Sequence, residues 1–243
     1  MKAGFDDVAD SYDEDTAALY RPEVLGPTVD LLAELADGGA ALELGIGTGR
    51  VALPLRDRVE RLHGVDCSRA MLDQLRKKPG AERIGLTLGD FAHTRVPGHF
   101  RLVYLVYNVI TNLITQDEQV ACFRNAAEHL EPGGRLVIEV FVPALQRLPP
   151  GERARVFDLS SDHVGFDEYT DLVAQILHSH HYWSEASGRP RFRSTHRYVW
   201  PSELDLMAQL AGLRRLHRFA SWARDPFVDA SPAHVSVWER PAS

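Results

Sequence analysis

Glu43 opens a run in which Gly45, Gly47 and Gly49 alternate with Ile46 and Thr48, and Arg50 follows. Ala41, Leu42 and Leu44 make the acid's surroundings apolar. That is the pattern of a buried parallel strand passing into a tight loop that opens a helix. Glycines so placed let the backbone come close to a ligand and take positive φ. In an open α/β sheet the loop lies outside the carboxyl end of a strand, where ligands bind. The spacing narrows the ligand. A dinucleotide-binding loop wants Gly or Ala where Arg50 stands, and a phosphate-cradling loop wants Lys followed by Ser or Thr. Neither is present, so the ligand need not carry phosphate.

Further acids follow at strand ends. Residues 61–66 read as a second short strand ending in Asp66, and an acid there can accept two hydrogen bonds from ribose hydroxyls. Cys67 and Ser68 come next, with Ser68 an N-cap for a helix over residues 69–78. A third strand, 84–88, ends in Gly89-Asp90-Phe91, and a fourth, 102–107, ends at Tyr107-Asn108. Leu130-Glu131-Pro132-Gly133-Gly134 closes a helix and leads to a strand over 135–142. Singly, each has a plainer reading: the glycines as a strand–helix turn, Asp66 and Asp90 as loop acids or caps.

In this order the E-x-G-x-G-x-G run, the acids and the L-x-P-G-G-x-L turn resemble class I S-adenosylmethionine-dependent methyltransferases. The resemblance covers residues 5–142, with a weaker echo at the C-terminus. It implies S-adenosylmethionine as cofactor and S-adenosylhomocysteine as product. It implies donor contacts from Glu43, Gly45, Gly47, Gly49, Asp66, Cys67, Met71, Gly89, Asp90, Phe91 and Tyr107. Met71 would lie by the adenine, Asp90 would meet its exocyclic amine and Phe91 would pack on the ring. Val8-Ala9-Asp10-Ser11-Tyr12-Asp13 is similar to the A-x-x-Y-D lid helix of small-molecule members, in which Tyr12 would close over the donor. Tyr20 and Arg21 would meet the donor's carboxylate. An amphipathic surface helix is the plainer reading of the same segment.

The chain has 243 residues, enough for one large domain with an insertion. No apolar run is long enough to span a bilayer, and the acidic N-terminus lacks a signal-peptide core. Two cysteines, Cys67 and Cys122, make no disulfide framework. A cytoplasmic protein is expected. The net charge of −7 and the lack of a sustained basic stripe argue against nucleic acid as partner.

These motifs need a frame. Pro22 opens a helix with Leu25, Val29, Leu32 and Leu35 at helical spacing, stopped by Gly38-Gly39. Thr115 to Glu118 form a capping box for a helix over 116–130. Strands alternating with helices predict a doubly wound, mostly parallel seven-stranded sheet with right-handed crossovers, a Rossmann-like α/β fold. After Pro149-Pro150-Gly151 the pattern turns to strands, at 153–159, 164–169, 172–183 and 191–199, with a turn at 185–190. The domain reading is a single unit over 1–243 with an N-terminal lid (1–21) and an antiparallel substrate-covering insertion (150–200) after the fifth strand. A helix from Pro201, with Leu204, Met207 and Leu210 on one face, precedes two closing strands, 213–222 and 234–240.

The insertion is where acceptor choice should reside. His178 and His180 share one strand face, and Ser179, His181 and Trp183 the other. His-x-His without carboxylate support does not make a metal site, and none is expected. Histidine titrates near neutrality, so His181 is the candidate catalytic base. His178, Trp183, Arg193 and Asn108 are candidate acceptor-binding residues, with Tyr107 and Asn108 on the opposite wall. A solvated strand face is the plainer reading of Arg193. The expected reaction is methyl transfer to an oxygen or nitrogen of a small-molecule acceptor, of the natural-product tailoring kind. The alternatives are a donor-binding sensor or partner subunit without catalysis, and a nucleic-acid or protein methyltransferase. The oligomeric state is left open, a homodimer included.

Overall fold

The computed structural model describes residues 4–184, 188 and 191–242. The chain starts with short helical pieces: a 3-10 turn at Phe5–Val8, α1 (Tyr12–Asp15) and a second 3-10 turn at Ala17–Tyr20. The expected lid helix around Val8 to Asp13 is thus broken up, and the residues of α1 are at most half-buried by exposure of the whole residue. Helix α2 (Pro22–Ala36) starts with proline at its first turn and ends at Asp37, which takes φ 48°. Val29, Leu32 and Leu35 are buried, as their spacing predicts.

β1 (Ala41–Leu44) is buried along its whole length. Short α3 (Ala52–Leu55), β2 (Leu62–Asp66), α4 (Arg69–Arg76) and β3 (Ile84–Leu88) follow. Ser68 caps α4 by accepting from Met71 N at 3.1 Å. β4 (Phe100–Leu105) ends two residues before the expected boundary, because Tyr107 and Asn108 take φ of 57° and 62° and leave the strand conformation. Helix α5 (Gln116–His129) carries the full Thr115/Glu118 capping box. β5 (Leu130–Phe141) starts five residues early. Leu130 already pairs with Phe100, and the register shifts before Leu102 meets Arg135, so the Pro-Gly-Gly stretch lies within an irregular strand.

Four antiparallel strands come next: β6 (Ala154–Leu159), β7 (His163–Asp171), β8 (Ile176–Trp183) and β9 (Phe192–Arg197). They form their own sheet in the order β6-β7-β8-β9. Residues 172–175 are a turn and not the start of β8. The expected turn at 185–190 lies, but for Gly188, outside the described residues. Helix α6 (Pro201–Leu210) buries Leu204, Met207 and Ala208, while Leu210 faces solvent. β10 (Arg214–Phe219) and β11 (Ala233–Glu239) complete the main sheet.

The main sheet has seven strands in the order β10-β11-β5-β4-β1-β2-β3. β1 pairs in parallel with β2 and β4, and β11 is antiparallel to β5 and β10. Leu42, Leu44, Val103 and Leu105 share one apolar core with Phe123 of α5 and Met207 of α6. Ala41, Leu102, Tyr104 and Val137 share the other with Leu32 of α2 and Leu72 of α4. The period of two along each strand therefore sends alternate residues to helices on opposite faces. Strand order reverses between β1 and β4, and a crevice at the carboxyl ends of the strands is expected there.

Candidate active site

A cavity of about 960 Å³ opens at this switch point and continues over the inner face of the four-stranded sheet. On the main-sheet side it is lined by Glu43, Gly45, Gly47, Asp66, Cys67, Met71, Phe91, Tyr107 and Asn108, together with Tyr12 from the N-terminal segment. The structure thus gathers these ten of the residues singled out in the sequence into one space, and His181 and Trp183 line the same cavity from β8.

The glycines have separate tasks. A Cβ on Gly45 would meet Val109 at 2.4 Å and one on Gly49 would meet Leu75 at 2.3 Å, whereas one on Gly47 would meet nothing within 4 Å. Gly45 and Gly49 let the loop pack, and Gly47 leaves open space. All three have positive φ. Asp66 holds the loop from the next strand: its Oδ2 accepts from Gly47 N at 2.7 Å and its Oδ1 from Ser68 N at 2.8 Å. The Cys67 backbone N–H also bonds this carboxylate, which keeps a lone pair for a further donor. Burial pushes the Asp66 carboxyl above its ordinary value, against the backbone hydrogen bonds from Ser68 and Gly47. Burial also raises Glu43, to about 8, although the Tyr104 hydroxyl donates to it at 2.9 Å.

Tyr12, Arg50 and Tyr107 stand together beside this loop. The Arg50 guanidinium lies 5.5 Å from the centre of the Tyr107 ring. Burial raises the Tyr12 phenol, and Tyr107 adds to the effect. Glu139 sets the Tyr107 turn, accepting from Tyr107 N at 2.7 Å and from Trp222 Nε1 at 2.8 Å. Asn108 accepts from Phe141 N through Oδ1 at 2.8 Å, so its carbonyl oxygen holds the end of β5.

Other sequence candidates lie outside the cavity wall. Tyr20 donates to Asp13 at 2.5 Å and pins the N-terminal segment to Thr48 of the glycine loop. Arg21 is exposed and bonds Ala18 O and Glu23. A Cβ on Gly89 would meet Thr94 at 2.2 Å, and Asp90 accepts from Ala92 N at 3.0 Å in a turn. His178 pairs with Thr195 on the opposite face of β8, the face that Arg193 shares through its pairing with His180. On the cavity side of the same strand stand Leu177, Ser179, His181 and Trp183.

Several cavity residues had no sequence signal. His163 and Asp167 of β7, Asp158 and Phe157 of β6, and Ser194 of β9 are brought in only by strand register. The same register brings in His196, which the sequence marks only as one of the histidines crowding the insertion. His196 bonds Thr111 Oγ1 at 3.1 Å and Ser194 Oγ at 2.6 Å, and burial lowers it to about 4. Asp13 follows Tyr12 in a motif that was noticed, yet only its three-way bonding to Tyr20, Thr48 and Lys78 reveals a task. Among the described residues no group of three or more His, Cys, Asp and Glu is arranged to hold a metal ion, and no helix is long and apolar enough to cross a membrane.

Residues 41–134 match the family model of a methyltransferase domain. The CcbJ methyltransferase of Streptomyces caelestis superposes with a TM-score of 0.85 and 39% identity, over 98% of this chain and 97% of that one. The cypemycin N-terminal methyltransferase of a Streptomyces species is 29% identical over 94% of this chain and 97% of its own length. The dTDP-3-amino-3,4,6-trideoxy-alpha-D-glucopyranose N,N-dimethyltransferase of Streptomyces venezuelae is 30% identical over 53% of this chain and 58% of its own length.

Proposed function

We propose, on the premise that this chain belongs to the S-adenosylmethionine-dependent methyltransferases, that its acceptor is a small amine methylated on nitrogen. The observation that carries this reading is the charge of the cavity. Asp158, Asp162 and Asp167 of the four-stranded sheet and its turn, with Glu14 and Asp15 of the N-terminal segment, line the cavity, and no lysine does; among the described lining residues Arg50, beside the glycine loop, is the one permanent cation. Such a wall favours a cationic acceptor over an anionic one. Asn112 lines the same cavity, and its buried Oδ1 finds no hydrogen-bond partner among the described residues, which suits a ligand N–H. Two of the relatives are named for transfer to nitrogen, one at a peptide N-terminus and one on an amino sugar.

The residues also fit the donor. Gly47 leaves space for backbone approach, Asp66 keeps a lone pair for a hydroxyl, and Met71 and Phe91 offer apolar walls for a flat ring. Arg50 lines the cavity and Arg21 does not, so Arg50 is the better partner for the donor's carboxylate. The bound donor supplies an electrophilic sulfonium methyl. The chain's part is to hold the acceptor in line, exclude water and accept a proton. Positioning of this kind is worth up to ~7–11 kcal/mol.

The reading is tested with isotopically labelled S-adenosylmethionine and a panel of D-glucosamine, L-alanyl-L-alanine and their hydroxyl counterparts D-glucose and L-lactyl-L-alanine. Label transfer to an amine and not to its hydroxyl partner is expected. Transfer to the hydroxyl members alone would overturn it, and preference for the dipeptide would place the acceptor among peptide N-termini.

A further inference from the structure

Neutral amines attack the donor, ammonium ions do not, so an ammonium acceptor in an enclosed cavity needs a route for its proton. A line of side chains across the four-stranded sheet has the composition of such a route. Asp158 Oδ2 lies 2.7 Å from His163 Nδ1, and His163 Nε2 lies 3.1 Å from His181 Nδ1. The remaining nitrogen, His181 Nε2, is 3.5 Å from Ser179 Oγ, at the limit of contact. The Ser179 hydroxyl also bonds the Asp167 carboxylate, which competes for its proton.

With His163 neutral, one assignment of protons satisfies this line. The Asp158 carboxylate can only accept, so His163 carries its proton on Nδ1. His163 Nε2 then presents a lone pair, so His181 carries its proton on Nδ1. His181 Nε2 is left bare, on the strand face that lines the cavity.

The backbone is shaped to make this line. The register between β6 and β7 shifts between Val156 and Asp158, and through that bulge both Phe157 and Asp158 line the cavity. Bulges beside sites of chemistry re-aim side chains in this way. Gly165 stands opposite His181 across the β7–β8 pair. A Cβ there would meet Phe157 at 2.2 Å and His163 Cε1 at 3.0 Å, so a larger residue would close the space the rings use. Trp183 stacks on His181 at 5.7 Å and Phe157 packs at 5.4 Å, fixing its plane. The far end of the line is wetter: the Asp158 side chain is 45% exposed and that of His163 14%.

We propose that Asp158 and His163 are positioning residues that hold the His181 tautomer with Nε2 toward the acceptor and take up the charge when the proton arrives. The acceptor's ammonium N–H passes to His181 Nε2, and its electron pair stays on nitrogen. That pair forms the new N–C bond to the methyl carbon as the methyl–sulfur bond breaks, its electrons going to sulfur, so that S-adenosylhomocysteine is the leaving group. The proton on His181 Nδ1 passes to His163 Nε2. The positive charge then rests on His163, paired with Asp158, and His181 is neutral again. When product leaves, the two shifts reverse and Nε2 gives its proton to water. This arrangement answers a difficulty at His181 itself. Burial, with His163 as the next cause, lowers it to about 4, so it is neutral and ready to accept yet holds a proton poorly. Passing the charge one ring outward, to a partner beside a carboxylate, relieves that cost.

The proposal rests on the amine reading, and the test separates the two. The first readout needs no acceptor: nitrogen-15 histidine spectra of the full chain saturated with S-adenosylhomocysteine. His181 and His163 are both expected as Nδ1–H tautomers, the form less favoured in water. An Nε2–H His181 in the wild type would overturn the relay whatever the acceptor is. The second readout is kinetic, on the better amine of D-glucosamine and L-alanyl-L-alanine. Asp158→Asn should lower kcat roughly tenfold to a hundredfold, with a smaller rise in KM from the lost wall charge, and Asp158→Glu should restore part of kcat. A change in KM alone would assign Asp158 to the charge of the wall and overturn its positioning role. Should only hydroxyl acceptors react, the amine reading fails, while the spectra still decide the relay.

Discussion

The Tyr104 hydroxyl donates to Glu43 at 2.9 Å across the β1–β4 pair, and both side chains are buried. This bond binds the acid that precedes the glycine loop to the neighbouring strand at the point where strand order reverses. Burial nonetheless raises the Glu43 carboxyl to about 8. The folded state therefore holds this proton more tightly than the unfolded chain between its ordinary pKa and about 8. In that window the native state binds more protons, so Glu43 makes stability fall as pH rises. Glu43→Gln should flatten the decline. Thermal unfolding of the donor-free protein at pH 5 to 8.5 checks this, and an unchanged slope would deny Glu43 the raised value.

Gly47 and Gly49 should fail differently when given a methyl group. At Gly49 the Cβ would meet Leu75 at 2.3 Å, so Gly49→Ala should lower stability by about 1–3 kcal/mol through overpacking. At Gly47 nothing lies within 4 Å, so Gly47→Ala suffers only the strain of φ 55° and fills space beside the loop. Its melting temperature should change less than that of Gly49→Ala while donor affinity falls more. Melting curves and titration calorimetry on both variants decide it; the reverse order would mean that Gly47 faces no ligand.

The contrast shows what was legible in the sequence. The three glycines, Asp66 and the strand alternation mark the loop and the fold, because local chemistry alone sets them. The separate tasks of Gly45, Gly47 and Gly49 were not legible, since they depend on Val109 and Leu75 from elsewhere. Ser179, His181 and Trp183 were placed on one face by the period of two. Their partners His163 and Asp158 were not found, because a bulge in β6 and the β7–β8 register bring them there. The N-terminal segment read as one helix for a related reason: its contacts to Ser68, Gln74 and Thr48 are made by Asp6, Asp10 and Asp13, which a helical periodicity treats as solvated.

Asp66→Ala removes the acceptor for Gly47 N and Ser68 N together with a carboxylate that lines the cavity. Donor binding should weaken by ~1–3 kcal/mol. Calorimetry giving wild-type affinity would reject Asp66 as a donor ligand.

Asp13 gathers three partners: Tyr20 at 2.5 Å, Thr48 at 2.6 Å and the Lys78 ammonium. Burial raises its carboxyl, but the hydrogen bonds from Lys78, Thr48 and Tyr20 outweigh it and hold the value below the ordinary one. A depressed carboxyl stabilises above its unfolded pKa and loses that contribution as pH falls through the folded one. Asp13→Asn should free residues 5–20 from the glycine loop. Hydrogen exchange over those residues should speed up at pH 7, and the wild type should approach the variant only in acid. Equal exchange at neutral pH would mean that other contacts hold the segment.

Asp167 tests the charge of the acceptor wall without touching the relay. It stands opposite Ser179 across β7 and β8 and lines the cavity. Burial raises its carboxyl, while the Ser179 hydroxyl and the nearby Arg155 oppose the rise. In Asp167→Asn the amide oxygen still accepts from Ser179, so the proton arrangement around His181 is kept, and a buried charge is removed. A hydrogen bond to a charged group contributes about 1.5–3 kcal/mol, so KM for an amine acceptor should rise roughly tenfold to a hundredfold. Donor affinity should stay at the wild-type value, and stability should hold or improve because the carboxylate no longer has to be buried. The expected pattern, KM raised with kcat near wild type, differs from that expected for Asp158→Asn, in which kcat falls by more than KM rises. Acid should mimic it: as pH falls toward the raised value of Asp167, the carboxylate is protonated and wild-type KM should climb, while the variant's stays flat over the same range. Steady-state kinetics of both proteins across pH 5 to 8 provide the check. Parallel pH profiles for the two would remove Asp167 from acceptor recognition.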